Sequence, residues 1–132
     1  MNDHSITVWK VMQRMALEKT WNQDYANDMF ILGYLHDIGK QLWYIADHAE
    51  RGWEILKRVD YKYRQEVYYH GAVNIQYSSP ELDLLNTADL QVTLSWEYVS
   101  TQVRLEDIAN RHGMDSTAYQ NSVNLAQHLW LL

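Results

Sequence analysis

Residues 33 to 40 read Gly33-Tyr-Leu-His36-Asp37-Ile-Gly-Lys40, or GYLHDIGK. The preceding stretch, Tyr25-Ala-Asn-Asp-Met-Phe-Ile-Leu32, places Tyr25, Met29, Leu32 and His36 on one helical face. A helix with that face buried carries a histidine and an aspartate side by side at its end. A buried charge is costly unless it is paired or coordinates a metal. His36-Asp37 therefore requires either the surface or a cation.

The helical period extends in both directions. His4, Val8, Met12 and Met15 share a face of a first helix that ends near Thr20-Trp21-Asn22. The second helix runs from about Asp24 to a stop at Gly39. A third carries His48, Gly52, Ile55 or Leu56, and Val59; a fourth aligns Tyr63, Val67 and His70. Ser78-Ser79-Pro80-Glu81 is the clearest helix start: a hydroxyl cap, a proline in the first turn and a carboxylate near the positive end of the dipole. The fifth helix then shows Leu82, Leu85, Asp89, Val92 and Trp96. Two more follow, one from about Val103 to Arg111 with a stop at His112-Gly113, the other from near Asp115-Ser116 to the C-terminus. One proline and no alternating β-branched run leave little room for a sheet. The expectation is an all-α bundle of six to seven helices.

The length, 132 residues, fits one domain that buries its own core. The expected division is a motif-bearing core over about 1–95 and a helical extension over about 96–132. There is no cysteine, which excludes disulfides and thiolate metal sites. The net charge is -6, with Lys and Arg scattered, so duplex nucleic acid lacks its basic footprint. No apolar run approaches a membrane span, and Met1-Asn-Asp-His4 is unlike a signal peptide. The expected location is cytoplasmic.

His4, His36, His48 and His70 each take a position their helix would otherwise give to the core, and Asp89 interrupts an apolar seam between Leu85 and Val92. Singly, such residues are common as satisfied core histidines or wet-edge carboxylates. Together they are five helices placing metal-ligand types where burial is expected. Imidazole with carboxylate suits Mn, Fe, Co or Zn, and carboxylate with water suits Mg. A dication also explains an ionised Asp89 among apolar neighbours. Successive helical residues point ~100° apart, so His36 and Asp37 share one ion only if it lies close against the helix. Alternatively, Asp37 bridges two ions.

The ordered set His4-Ser5, Leu35-His-Asp-Ile-Gly-Lys40, His48-Ala-Glu-Arg-Gly-Trp-Glu-Ile-Leu56, His70 and Thr87-Ala-Asp89-Leu resembles the HD domain superfamily of metal-dependent phosphohydrolases. The resemblance covers residues 4 to about 92. It implies one ion held by His4, His36, Asp37 and Asp89, and a second held by His48 and His70, with Asp37 bridging. The implied cofactor is a divalent metal, two ions of Mn, Fe, Co, Mg or Zn. The segment Tyr69-His70-Gly71-Ala72 lacks the longer signature of cyclic-dinucleotide hydrolases. The marks of alarmone hydrolases and of deoxynucleotide triphosphohydrolases are also missing. The layout is closer to small stand-alone hydrolases of nucleotides or other phosphorylated metabolites.

The chemistry implied is hydrolysis by a metal-activated water, with Asp37 and Lys40 as catalytic residues. Lys40 is also the candidate phosphate-binding group, although a cation there equally answers the negative end of the second helix. Gly52 permits close helix approach. Asp47 and Glu50 flank His48, either orienting ligands or as solvated charge. His112 reads as a helix-end residue, and His128 falls outside the family pattern. The same ligand set resembles HD-fold di-iron oxygenases, and a metal-containing regulatory module is the other alternative. The C-terminal helices either complete the core or present a homo-oligomer face.

Overall fold

The computed structural model describes residues 3–37, 48–72, 75–93 and 97–132, with backbone alone for residues 3–6 and 48–49. Among the described residues there are seven helices and no strand: α1 Asp3–Thr20, α2 Gln23–Leu35, α3 His48–Arg58, α4 Arg64–Tyr69, α5 Pro80–Asp89, α6 Thr101–His112 and α7 Thr117–His128. An antiparallel bridge joins Val92 and Tyr98. The chain is all-α. No helix among the described residues is long and apolar enough to cross a membrane.

Helix starts follow cap chemistry. Asn22, Ser79, Ser100 and Ser116 each have extended backbone and accept an N–H from the residue three positions on, satisfying a donor that the first turn leaves without a partner. Ser79 does more than its counterparts. Its hydroxyl accepts from Leu82 N–H at 3.0 Å and donates to buried Glu66 of α4 at 2.7 Å, tying the start of α5 to α4. The Tyr77 hydroxyl donates to the same Glu66 oxygen. Ser79→Ala removes both the cap and a donor to a buried carboxylate, so it should cost about 2 kcal/mol. Ser100→Ala loses the cap bond alone and should cost about 1 kcal/mol. Urea unfolding of both variants checks the difference.

α1 and α2 form an antiparallel pair whose apolar faces meet α4 and α5. Val8, Met12, Met29, Leu32, Val67 and Leu85 are fully buried in this core. The Trp9 ring lies against Phe30 (centroids 3.9 Å apart) and edge-on to Tyr34 (5.2 Å). Directly beneath, Gly33 faces Trp9 so closely that an added Cβ would fall 2.6 Å from Trp9 Cα. Leu90, Leu105, Ile108, Leu125 and Ala126 form a second cluster that seats α6 and α7 beyond the end of α5.

Two expected features fall elsewhere. α2 ends at Leu35 and His36-Asp37 form a turn, four residues before the expected glycine stop. Val59 is 71% exposed and lies past the end of α3, because the chain turns at Asp60, whose φ is 55°, before Tyr61 N–H bonds back to Leu56 O at 2.9 Å. Trp96 lies outside the described residues.

Candidate metal centre

Three helix C-termini converge. His36 caps α2, His70 caps α4, and Asp89 is the last residue of α5. The last carbonyls of a helix lack intrahelical donors and carry the negative end of its dipole. Two of them hold the histidines by the same local device. His36 Nδ1 lies 2.6 Å from Gly33 O, and His70 Nδ1 lies 2.6 Å from Val67 O. A carbonyl only accepts, so each Nδ1 carries a proton and donates. A ring held this way, when neutral, presents its Nε2 lone pair away from its helix, the arrangement in which histidine binds metal.

Both Nε2 atoms face carboxylates. Asp37 spans them, with Oδ2 3.2 Å from His36 Nε2 and Oδ1 3.2 Å from His70 Nε2. Asp89 Oδ1 stands 3.6 Å from His36 Nε2. The two imidazoles meet edge to face with centroids 5.3 Å apart. His36 is fully buried and Asp37 nearly so, whereas the Asp89 side chain is 26% exposed at the rim. Lone pairs set against carboxylate oxygens repel unless positive charge lies among them. Burial alone pushes the His36 imidazolium down, but Asp37 and then Asp89 more than reverse this and hold it well above its ordinary value. A proton is one way to supply the charge; a metal ion is the other.

The donor set fits a divalent ion in its chemistry. Oxygen and nitrogen ligands about 2.1 Å from one ion at right or tetrahedral angles lie ~3.0–3.4 Å apart. The His36–Asp37 and Asp37–His70 spacings fall in that range, and His36–Asp89 lies just beyond it. The arrangement is nonetheless a chain of pairs. Among the described residues no three His, Asp or Glu side chains are jointly placed to hold one ion. Asp37 thus faces two histidines, each through a different oxygen.

The other candidates divide by position. His4 lies in the first turn of α1 and His48 opens α3, with only their backbones described. Lys40 and Asp47 lie outside the described residues. Gly52 is buried, while Glu50, His112 and His128 are exposed.

Two further residues support the centre without belonging to any motif in the sequence. Buried Asn86 of α5 accepts the Gly71 N–H at 2.8 Å through Oδ1. Gly71 has φ 78°, and this bond pins the turn after His70 to the helix that carries Asp89. Asn86 follows Leu82 by four residues and precedes Asp89 by three, so its place on the same face is the available signal. Glu66, one turn before His70, is likewise buried and held by Tyr77 and Ser79.

No curated protein and no solved structure matches the chain. The model of the family described as HD domain matches residues 2–91, which takes in the whole series from His4 to Asp89. With its all-helical architecture and with His36, Asp37, His70 and Asp89 drawn together at three helix ends, the chain belongs to the HD domain family.

Proposed function

We propose that this protein is a metal-dependent phosphohydrolase that cleaves a phosphate ester of a nucleotide or another small phosphorylated metabolite. HD domains are, at the coarse level, metal-dependent phosphohydrolases, and the family match supports that much. The observation that carries the reading is Asp37, set between the Nε2 atoms of two histidines whose Nδ1 protons are tied to backbone carbonyls.

In this reading His36, Asp37, Asp89 and His4 would hold one ion, and His70 and His48, with Asp37, a second. When bound, such ions polarise a phosphoryl oxygen and lower the pKa of water from ~15.7 toward neutrality. The chain's own contribution is orientation. The Gly33 and Val67 carbonyls fix both imidazole tautomers, and burial of His36 and Asp37 keeps bulk water from competing for them. Asp89, whose side chain is partly exposed, is in this reading the ligand that an arriving substrate would meet. Lys40 is the proposed phosphate-binding cation, one turn past His36 in sequence.

Metal analysis of the purified protein, followed by phosphate release measured over nucleotides and sugar phosphates with Mn, Fe, Co, Mg and Zn, tests the proposal. Release that depends on added metal and stops with chelator is expected. Iron with oxygen consumption and no phosphate would instead identify an oxygenase, and metal without turnover a regulatory module.

Asn86→Ala supplies a subtler check. It leaves Gly71 N–H without its acceptor and frees the turn that positions His70. Metal affinity should fall ~10-fold or more, as when outer partners of ligands are removed, with a stability loss of about 1–2 kcal/mol. Equilibrium dialysis and urea unfolding on the same samples read both.

A further inference from the structure

A cavity of about 520 Å³ lies between α5, α7 and the segment that leads into α5, within the ~300–1,000 Å³ of small-molecule sites. Two of its wall residues lie close in the chain to residues of the metal centre. Ala72 in its wall is two residues beyond His70, and Asn86 stands one turn before Asp89, or ~4.5 Å along the helix axis. The Gly71 N–H bond to Asn86 Oδ1 at 2.8 Å ties this wall to the turn that follows His70.

The lining excludes one part of a phosphate ester and suits the other. Asp83 contributes a carboxylate, and no Lys or Arg is among the described residues of the wall, where His128 is the sole basic side chain. A phosphoryl group would meet repulsion here. A neutral, flat, hydrogen-bonding group would meet Leu82 and Leu125 as apolar walls, with amides at Asn86 and Asn124. A primary amide offers a donor and an acceptor side by side, the pattern that matches a nucleobase edge. The Oδ1 of Asn86 is taken by Gly71, so its N–H groups are what it offers. Asn124, which is exposed, has both functions to give.

We infer that this cavity receives the nucleoside part of a nucleotide substrate, and that Asn124 and His128 of α7 select the base. The inference rests on the phosphohydrolase reading for the phosphate and goes beyond it for the rest of the substrate. It assigns a role to the segment after residue 91, which the HD domain match does not reach. Specificity then comes from the extension, while the ligands come from the matched core.

The test uses nucleosides, which carry no phosphate and so need no metal. The full chain is titrated calorimetrically with adenosine, guanosine, cytidine and uridine, before and after chelation, together with Asn124→Ala and His128→Ala. Both positions are exposed, and thermal melts confirm that each variant is folded. One nucleoside should bind with or without chelator, and each variant should weaken it at least ~10-fold. If phosphate esters are hydrolysed yet no nucleoside binds, or binding is undiminished in both variants, the inference is overturned and the phosphohydrolase reading stands. If a nucleoside binds in this variant-sensitive way but no nucleotide releases phosphate, the cavity assignment holds and the phosphohydrolase reading falls.

Discussion

Asp37→Ala is expected to strip tightly held divalent metal from the protein and to lower phosphate release at least ~100-fold, since even outer partners of metal ligands cost 10–100-fold when lost. Both oxygens of this carboxylate are engaged, one toward His36 and one toward His70, so one substitution removes a donor from each half of the centre. Asp37→Asn separates charge from shape. It keeps the volume and one oxygen but loses the anion, and it should retain fold while still losing most metal. Asp37→Asn should keep more of the fold than Asp37→Ala, because truncating one partner of a buried pair is itself destabilising and the amide still offers a polar partner to both histidines. Metal content and phosphate release are measured on the same preparation, with circular dichroism as the control for folding. Unchanged metal and unchanged turnover in Asp37→Ala would refute the centre as assigned.

Local features of this fold are legible in the amino-acid sequence, and features that depend on distant residues are not. The starts of α5 and α7 are readable because a cap is a contact between a side chain and a backbone N–H three residues on, as at Ser79 and Ser116. The end of α2 is not. Gly39 has the look of a stop, but the helix closes at Leu35, and His36 turns its ring back onto the Gly33 carbonyl. Asp37 is set against His70, a residue far along the chain that no window around GYLHDIGK contains. Asp89 stands out as an anomaly on an apolar seam, and its 3.6 Å approach to His36 gives that anomaly a partner. Asn86 occupies the same seam without standing out, since its partner is a backbone N–H in a turn rather than another side chain. The cavity needs the placement of α7 against α5, set by the cluster around Leu90 and Leu125. His128 therefore has no visible role in the sequence.

The largest stability loss is expected from Gly33→Ala, a substitution that in an isolated helix would be favourable by about 1 kcal/mol. The sign reverses because of what the new methyl would meet. Its Cβ would lie 2.6 Å from Trp9 Cα, 3.0 Å from Trp9 N and 3.0 Å from Met12 Sδ. Met12 can adjust its thioether, but the two Trp9 contacts are backbone, so α1 itself must move away from α2. It has little room to do so: the Trp9 ring is held against Phe30 and Tyr34 on α2, and Val8 and Met12 on either side are fully buried. Overpacking of this kind costs about 1–3 kcal/mol and occasionally more; with backbone against backbone, a net loss near the upper figure, about 3 kcal/mol, is expected. The site should suffer with the fold, because the Gly33 carbonyl holds the His36 ring and shifts with it. Urea unfolding should show a lower midpoint with an unchanged slope, and metal retention should fall in parallel. Ile31→Ala, at an exposed position two residues earlier, should move neither by a comparable amount. Equal or higher stability in Gly33→Ala would mean that the helices do not approach this closely, and with that the positioning of His36 by the α1–α2 crossing would fail.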